Sequence, residues 1–315
     1  MHWAWPSRTR NRNGNKKRRF WHGDARPDFL CIGAQKAGTS WLYKQLSLHP
    51  DFWMPPVKEL HYFDSLSRIK RRHPPRRNDK RDERFLKQIR SLSHRSYVDL
   101  ESYSNLFKFK GRLLCGDITP AYSMLNEEII QRIVDYFPEL KVIFLARDPV
   151  ERAWSQLSMV VRFGVIKPFD ATNSDEVIRN LFDPAVLLRS YPSKIVARWR
   201  RYVGPDLFRV YFFDDLKKNP AGVRSSILQF LGGDPCAGSG KLDPDQESNV
   251  GTKLPLSEKV RSRLAQFFKK ELKTCADELG GPARQWPARY GFSLFWFLAD
   301  VVDDVDLFAW CDWLA

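Results

Sequence analysis

No run in this chain reaches the roughly 18 consecutive apolar residues that a helix needs to cross a bilayer. Cysteine is scarce: Cys31, Cys115, Cys236, Cys275 and Cys311 are odd in number, scattered, and absent from any C-x-x-C pair. Neither a zinc site nor a disulfide framework fits that distribution, whereas a reducing compartment does. The N-terminus reads Met-His-Trp-Ala-Trp-Pro and then turns basic, without the apolar core of a secretory leader, so cytoplasmic residence is expected. Acidic residues run short, 37 against 52 Lys and Arg, leaving a net charge of +15. That excess is local. Residues 1–26 hold eight basic side chains against one acid and residues 68–95 hold twelve against three, so the rest of the chain carries 32 against 33. A nucleic-acid-binding domain would not be balanced over most of its length, and no nucleic-acid partner is expected.

What is present is enough apolar material for one substantial core: 315 residues, 43% hydrophobic. Residues 1–26 read as a basic, disordered tail, and residues 292–315 as an aromatic and acidic helical extension. Its aspartates oppose an anionic membrane, so it suits docking on the domain or on a second subunit of a homo-oligomer.

Between these ends, short apolar runs alternate with helical periodicity. Strands are expected at 29–32, 113–116, 141–149 and 208–213. Helices are expected from Thr39 to about His49 and over 84–92, 126–137, 193–202, 222–231 and 255–279, with another starting just after Pro149. Strands alternating with helices predict an α/β fold, a three-layer sandwich around a central parallel sheet.

Three segments carry chemistry. The first is Gly33-Ala34-Gln35-Lys36-Ala37-Gly38-Thr39-Ser40, a glycine-bounded loop between the first strand and the first helix. Backbone N–H groups and the positive end of a helix dipole gather there around a phosphate-sized space. The spacing approaches G-x-x-x-x-G-K-[ST], but Thr39 stands where a nucleoside triphosphate loop has lysine, and Lys36 comes three positions earlier. The second is Arg147-Asp148-Pro149-Val150-Glu151-Arg152-Ala153-Trp154-Ser155, at the end of the clearest strand. There the Arg147 guanidinium can grip a phosphate bidentately. The third is Lys58-Glu59-Leu60-His61-Tyr62-Phe63-Asp64, read as an extended segment presenting Glu59, His61 and Phe63 on one side. A carboxylate and an imidazole facing one cleft suit a general base and its neighbour.

In this order and at these intervals, the segments resemble the sulfotransferases that use 3′-phosphoadenosine 5′-phosphosulfate (PAPS), especially the heparan-sulfate branch and its bacterial relatives. The resemblance runs from residue 27 to about 291 and includes Thr119-Pro120-Ala121-Tyr122. It implies a P-loop-like sulfotransferase domain over 27–291 that moves a sulfuryl group from PAPS to an acceptor hydroxyl, with carbohydrate favoured and no metal required. Lys36, the backbone of Ala37 and Gly38, and the hydroxyls of Thr39 and Ser40 would hold the 5′-phosphosulfate. Arg147 and Ser155 would bind the 3′-phosphate. Glu59 would be the base, with Lys36 its catalytic partner on the leaving group. His61, Asp117 and Thr119 would line the acceptor side, while Gly251 and Lys253 would close over the nucleotide. One departure is plain: the branch commonly has Glu-Lys before its Thr-Pro, and this chain has Asp117-Ile118, so a lysine that helps bind an acidic acceptor is missing. Two rivals stay open. One is an NTP-dependent kinase with an aberrant loop and Asp117 as its magnesium ligand; the other is a non-catalytic glycan- or polyanion-binding module on the same fold.

Overall fold

The computed structural model describes residues 25–65, 79–92, 98–167, 169–238, 243 and 254–292. The expected tail (1–26, but for its last two residues), the extension beyond Phe292, most of the first half of the basic block and the Gly251–Lys253 loop lie outside them.

Among the described residues, four strands form one parallel sheet: β1 (Phe29–Gly33), β2 (Gly116–Ile118), β3 (Lys141–Ala146) and β4 (Phe208–Phe212), in the order β2-β1-β3-β4. Helices flank it. They are α1 (Thr39–Ser47), α2 (Lys80–Leu92), α3 (Leu100–Asn105), α4 (Glu127–Tyr136), α5 (Pro149–Arg162) and α6 (Ser174–Leu181). After them come α7 (Pro184–Leu187), α8 (Pro192–Arg200), α9 (Phe213–Lys218), α10 (Pro220–Leu231), α11 (Glu258–Phe267) and α12 (Lys269–Leu279). Strands β1 and β3 are buried almost throughout, as continuous apolar runs in a doubly covered parallel sheet must be. None of the described helices is long and apolar enough to cross a membrane.

Strand order decides where a ligand can enter. The chain leaves β1 for β2 on one side and returns to β3 on the other, so the carboxyl ends of β1 and β3 flank the topological switch point. Both phosphate-type loops emerge there. The Ala34 N–H donates to the Leu145 carbonyl at 2.9 Å, stitching the two strand ends together.

Some elements fall differently from their expected positions. The second strand is Gly116–Ile118 rather than 113–116, because Leu114 pairs instead with Phe52 in an isolated bridge. Asp117 therefore sits within the sheet. The single helix expected over 255–279 is two, broken at buried Phe268, whose ring stacks edge-on against Phe267 and Tyr191.

Candidate active site

Local sequence explains how each loop is held. Gly38 caps α1 with φ 98°, a left-handed conformation suited to glycine, and an added Cβ would come within 2.5 Å of Leu216. The first turn of α1 has neither a capping side chain nor an acidic residue, which leaves its positive dipole end available to an anion. The Ala37 N–H, expected to face a phosphosulfate, donates within the loop to the Ala34 carbonyl at 3.1 Å. Donors for an anion are thus to be sought at Lys36 and from Gly38 onward.

At the second loop Asp148 caps α5, accepting from the Val150 and Glu151 N–H groups. Tyr290 donates to its other oxygen at 2.9 Å, and Arg289 lies 3.5 Å away. Burial still pushes the Asp148 carboxyl up, to about 6. Arg147, 4% exposed, donates through Nη1 to the Lys36 carbonyl at 2.5 Å and lies over the Phe213 ring. Its Nε is buried and has no hydrogen-bond partner among the described residues. Ser155, nearly two turns into α5, is buried, and its hydroxyl makes no hydrogen bond among the described residues. An orphaned guanidinium N–H and an uncommitted hydroxyl on one loop-helix unit fit a phosphate that would complete them.

The third segment is not extended. Glu59 (φ 67°) and His61 (φ 52°) are left-handed, and with Lys36 (φ 72°) they are the only non-glycine residues of positive φ among the described residues. The two kinks turn Phe63 inward with Leu60 and Tyr62, so it joins an aromatic cluster with Tyr103 and Tyr122 rather than sharing the face of Glu59 and His61. Left-handed non-glycine backbone costs about 1–3 kcal/mol per residue and persists where surroundings impose it, most often at functional sites.

Charges alternate along this turn. Lys58 Nζ lies 2.5 Å from Glu59 Oε1, His61 Nε2 lies 3.4 Å from Glu59 Oε2, and His61 Nδ1 lies 2.8 Å from Asp64 Oδ2. Burial would raise the Glu59 carboxyl, but His61 and Lys58 outweigh it and hold it near 2. Burial would likewise lower the His61 pKa, yet Asp64 and Glu59 push it up to about 9. Glu59 is therefore ionised and His61 an imidazolium at neutral pH.

Asp117 and Thr119, expected on the acceptor side, are buried and spend their polar atoms inside the chain. Asp117 Oδ1 accepts from Thr119 Oγ1 at 2.7 Å, and Oδ2 accepts from the hydroxyls of Tyr122 at 2.7 Å and Tyr103 at 3.1 Å. It also accepts the backbone N–H of Leu60, between Glu59 and His61. Tyr122 Oη in turn accepts the Tyr62 N–H at 3.0 Å. These two residues support the kinked turn from below. Gly251 and Lys253 lie outside the described residues.

Residues 27–234, more than half of the chain, match the model of the sulfotransferase family. The chain belongs to that family. Mouse heparan sulfate glucosamine 3-O-sulfotransferase 5 is 25% identical over 215 residues, 65% of this chain and 53% of that protein. The membrane-associated sulfotransferase kil1 of Dictyostelium discoideum is 28% identical over 137 residues, 44% of this chain and 24% of its own length. This sulfotransferase-family chain thus spans at most about half the length of these relatives. Among solved structures, a sulfotransferase from Alicyclobacillus acidocaldarius superposes with a TM-score of 0.59 at 24% identity, covering 83% of this chain and 98% of that one. The sulfotransferase domain from the curacin biosynthetic pathway gives 0.50 at 16%, covering 85% and 99%. Both establish the fold.

Sequence reasoning gave no role to Tyr122, which steadies the turn from within the Thr-Pro-x-Tyr match, to Arg152, which lies within the Arg147–Ser155 segment, or to Arg189, which lies outside every motif. Arg152 reads in sequence as one more charged position on an amphipathic helix, and the segment that buries it lies more than 30 residues further on.

Proposed function

We propose that this chain transfers a sulfuryl group from PAPS to an acceptor hydroxyl. The observation that carries this reading is the left-handed backbone at Lys36, Glu59 and His61, three residues of two segments that the family resemblance assigns to donor and acceptor chemistry. The site's residues fit the donor: two linked anion-binding loops at the switch point, and a buried guanidinium N–H awaiting an acceptor. Bound there, PAPS supplies the sulfuryl group and leaves as adenosine 3′,5′-bisphosphate.

The chain's own groups divide the work. Lys36 and the start of α1 neutralise negative charge that builds on the bridging oxygen as the sulfur–oxygen bond breaks. Arg147 and Ser155 grip the 3′-phosphate, so the nucleotide is fixed at both ends. Glu59 receives the proton of the attacking hydroxyl while that oxygen bonds sulfur. An acceptor hydroxyl entering between Glu59 and Lys58 displaces one of the two cations that hold the carboxylate acidic, which raises its basicity when a base is needed. His61, charged and anchored by Asp64, orients the other Glu59 oxygen.

A carbohydrate acceptor is supported by the mammalian relatives, which are named as heparan sulfate glucosamine 3-O-sulfotransferases, and by α2. That helix exposes Lys80, Arg81, Arg84, Lys87 and Arg90 to an anionic chain. The kinase alternative loses its footing at Asp117, whose oxygens accept from three hydroxyls and a backbone N–H.

The test is turnover. The full chain is incubated with PAPS and separate acceptors (an acidic polysaccharide, a neutral oligosaccharide, a lipid headgroup, a small alcohol), and bisphosphate release is followed. Release dependent on a saccharide and abolished by Glu59→Gln supports the reading; dependence on no acceptor at all refutes it.

A further inference from the structure

The C-terminal end of α5 carries two apolar side chains into solvent. Phe163 is 66% exposed and Val165 69%, more than any other large apolar side chain among the described residues. Single exposed apolar residues are ordinary, whereas two large ones on one tight turn mark a contact surface. The chain buries its neighbours: Val160 before the turn is in the core, and Ile166 after it packs against the core.

Backbone hydrogen bonds fix this turn. Gly164 follows the helix in the left-handed conformation, at φ 65°. Its N–H donates to the Val161 carbonyl at 2.9 Å, and the Val165 N–H donates to the Val160 carbonyl at 2.8 Å. That pair of bonds is a Schellman motif, in which the residue after the glycine frequently folds its side chain back on the helix. Val165 instead stays mostly exposed. An added Cβ at Gly164 would meet no atom within 4 Å, so the tip stands in open space. Because the backbone is already ordered, docking there costs little conformational entropy.

Charge brackets the apolar pair. Arg162 and Lys167 are exposed on either side of it, and the sequence has no acidic residue between Glu151 and Asp170. The Asp170 carboxylate is turned onto the Thr172 N–H and hydroxyl. The Arg162 guanidinium lies 4.9 Å from the Phe163 ring centroid, so cation and aromatic face are presented together. A tip that is apolar at its centre and cationic at its margins matches the layering of an anionic bilayer. Apolar side chains reach the acyl boundary while the cations stay among the headgroups. A protein partner fits less well, because a stable interface takes about 800 Å² from each side, far more than a two-residue tip offers.

We propose that the turn Arg162–Lys167 docks this chain on the surface of an anionic lipid bilayer. Phe163 and Val165 enter the interface, and Arg162 and Lys167 contact the headgroups. The 14 residues of α5, about 21 Å of helix, separate this turn from the Asp148 cap, so the surface is distinct from the candidate active site and independent of the donor reading.

Flotation of the full chain with vesicles tests this, with circular dichroism as the folding control and sedimentation velocity for the association state. The vesicles are phosphatidylcholine alone and an equal mixture of phosphatidylcholine and phosphatidylserine. Wild type binds the mixture more tightly. Phe163→Ser with Val165→Ser weakens that binding by about tenfold or more, the cost of returning one large apolar side chain to water. Arg162→Gln with Lys167→Gln weakens it by about tenfold or more as well, at about fivefold per cation. Arg84→Gln with Lys87→Gln removes equal charge from α2 and weakens it less than either pair. Should the serine pair fail to fold, Phe163→Ala decides alone. Three results overturn the proposal: no vesicle binding by wild type, binding indifferent to the apolar pair, or a wild-type dimer that the serine pair dissociates.

Discussion

Arg147 Nη1 donates to the carbonyl oxygen of Lys36 at 2.5 Å, across 111 residues of chain. The bond joins the loop after β3 to the loop after β1, so the two proposed phosphate-binding loops are tied to each other rather than merely neighbours. It also turns the left-handed Lys36 peptide so that its carbonyl points at the guanidinium, which is one force holding that backbone in its unusual conformation.

Arg147→Lys keeps the charge and loses the planar fork, so it cannot hold the Lys36 carbonyl and a phosphate together. Bisphosphate affinity should fall about 10- to 100-fold by calorimetry, the range for one or two lost charge-assisted bonds. An affinity within twofold of wild type would show that Arg147 grips the loop alone.

Glu59→Gln preserves shape and removes the proposed base. Turnover should fall by about 100- to 10,000-fold, the usual contribution of a general base, with bisphosphate affinity unchanged. Loss of nucleotide binding instead would place Glu59 in the donor site.

His61 gives a stability signature with a defined sign. Its folded pKa of about 9 lies above the ordinary value of 6.5, so the stability it contributes is full below about 6.5 and is lost as pH rises through 9. Urea unfolding at pH 6 should show His61→Gln less stable than wild type, and at pH 10 the two should converge. Glu59 behaves oppositely: its depressed pKa gives stability above about 4.5 that is lost as pH falls toward 2.

Asp117→Asn and Tyr122→Phe should loosen the turn without touching the nucleotide loops. The kinks at Glu59 and His61 are held from below by the Leu60 N–H on Asp117 and the Tyr62 N–H on Tyr122. Turnover should fall about tenfold or more while bisphosphate affinity stays within twofold; each mutation misorients the base, as small displacements at a reacting centre do. A matching fall in both would mean a general loss of structure.

Much of this site is legible in sequence because its two loops are short and contiguous. A buried strand, a glycine-bounded bend and a helix start announce Gly33–Ser40, and the apolar run 141–146 ending in Arg-Asp-Pro announces Arg147. The parallel sheet follows from the same alternation. What sequence conceals is anything set by backbone sign or by distant burial. Period-two reading assigns Phe63 to the side of Glu59, and two positive φ values reverse it. Asp117 looks like a polar residue at a strand end, but pairing of Leu114 with Phe52 shifts β2 onward and draws the carboxylate into the core. Arg152 becomes interior because Val186 and Ser190 close over α5 from a stretch whose first two helices (174–187) no periodicity announces.

Lys36, displaced from the triphosphate position, is proposed to make this loop a site for a doubly phosphorylated nucleotide. Calorimetry of adenosine 3′,5′-bisphosphate without metal, against ATP with magnesium, on wild type and Lys36→Ala, addresses it directly. Wild type should bind the bisphosphate without metal, Lys36→Ala should bind it about tenfold or more weakly, and magnesium ATP should bind much more weakly. Binding of magnesium ATP with none of the bisphosphate would contradict it.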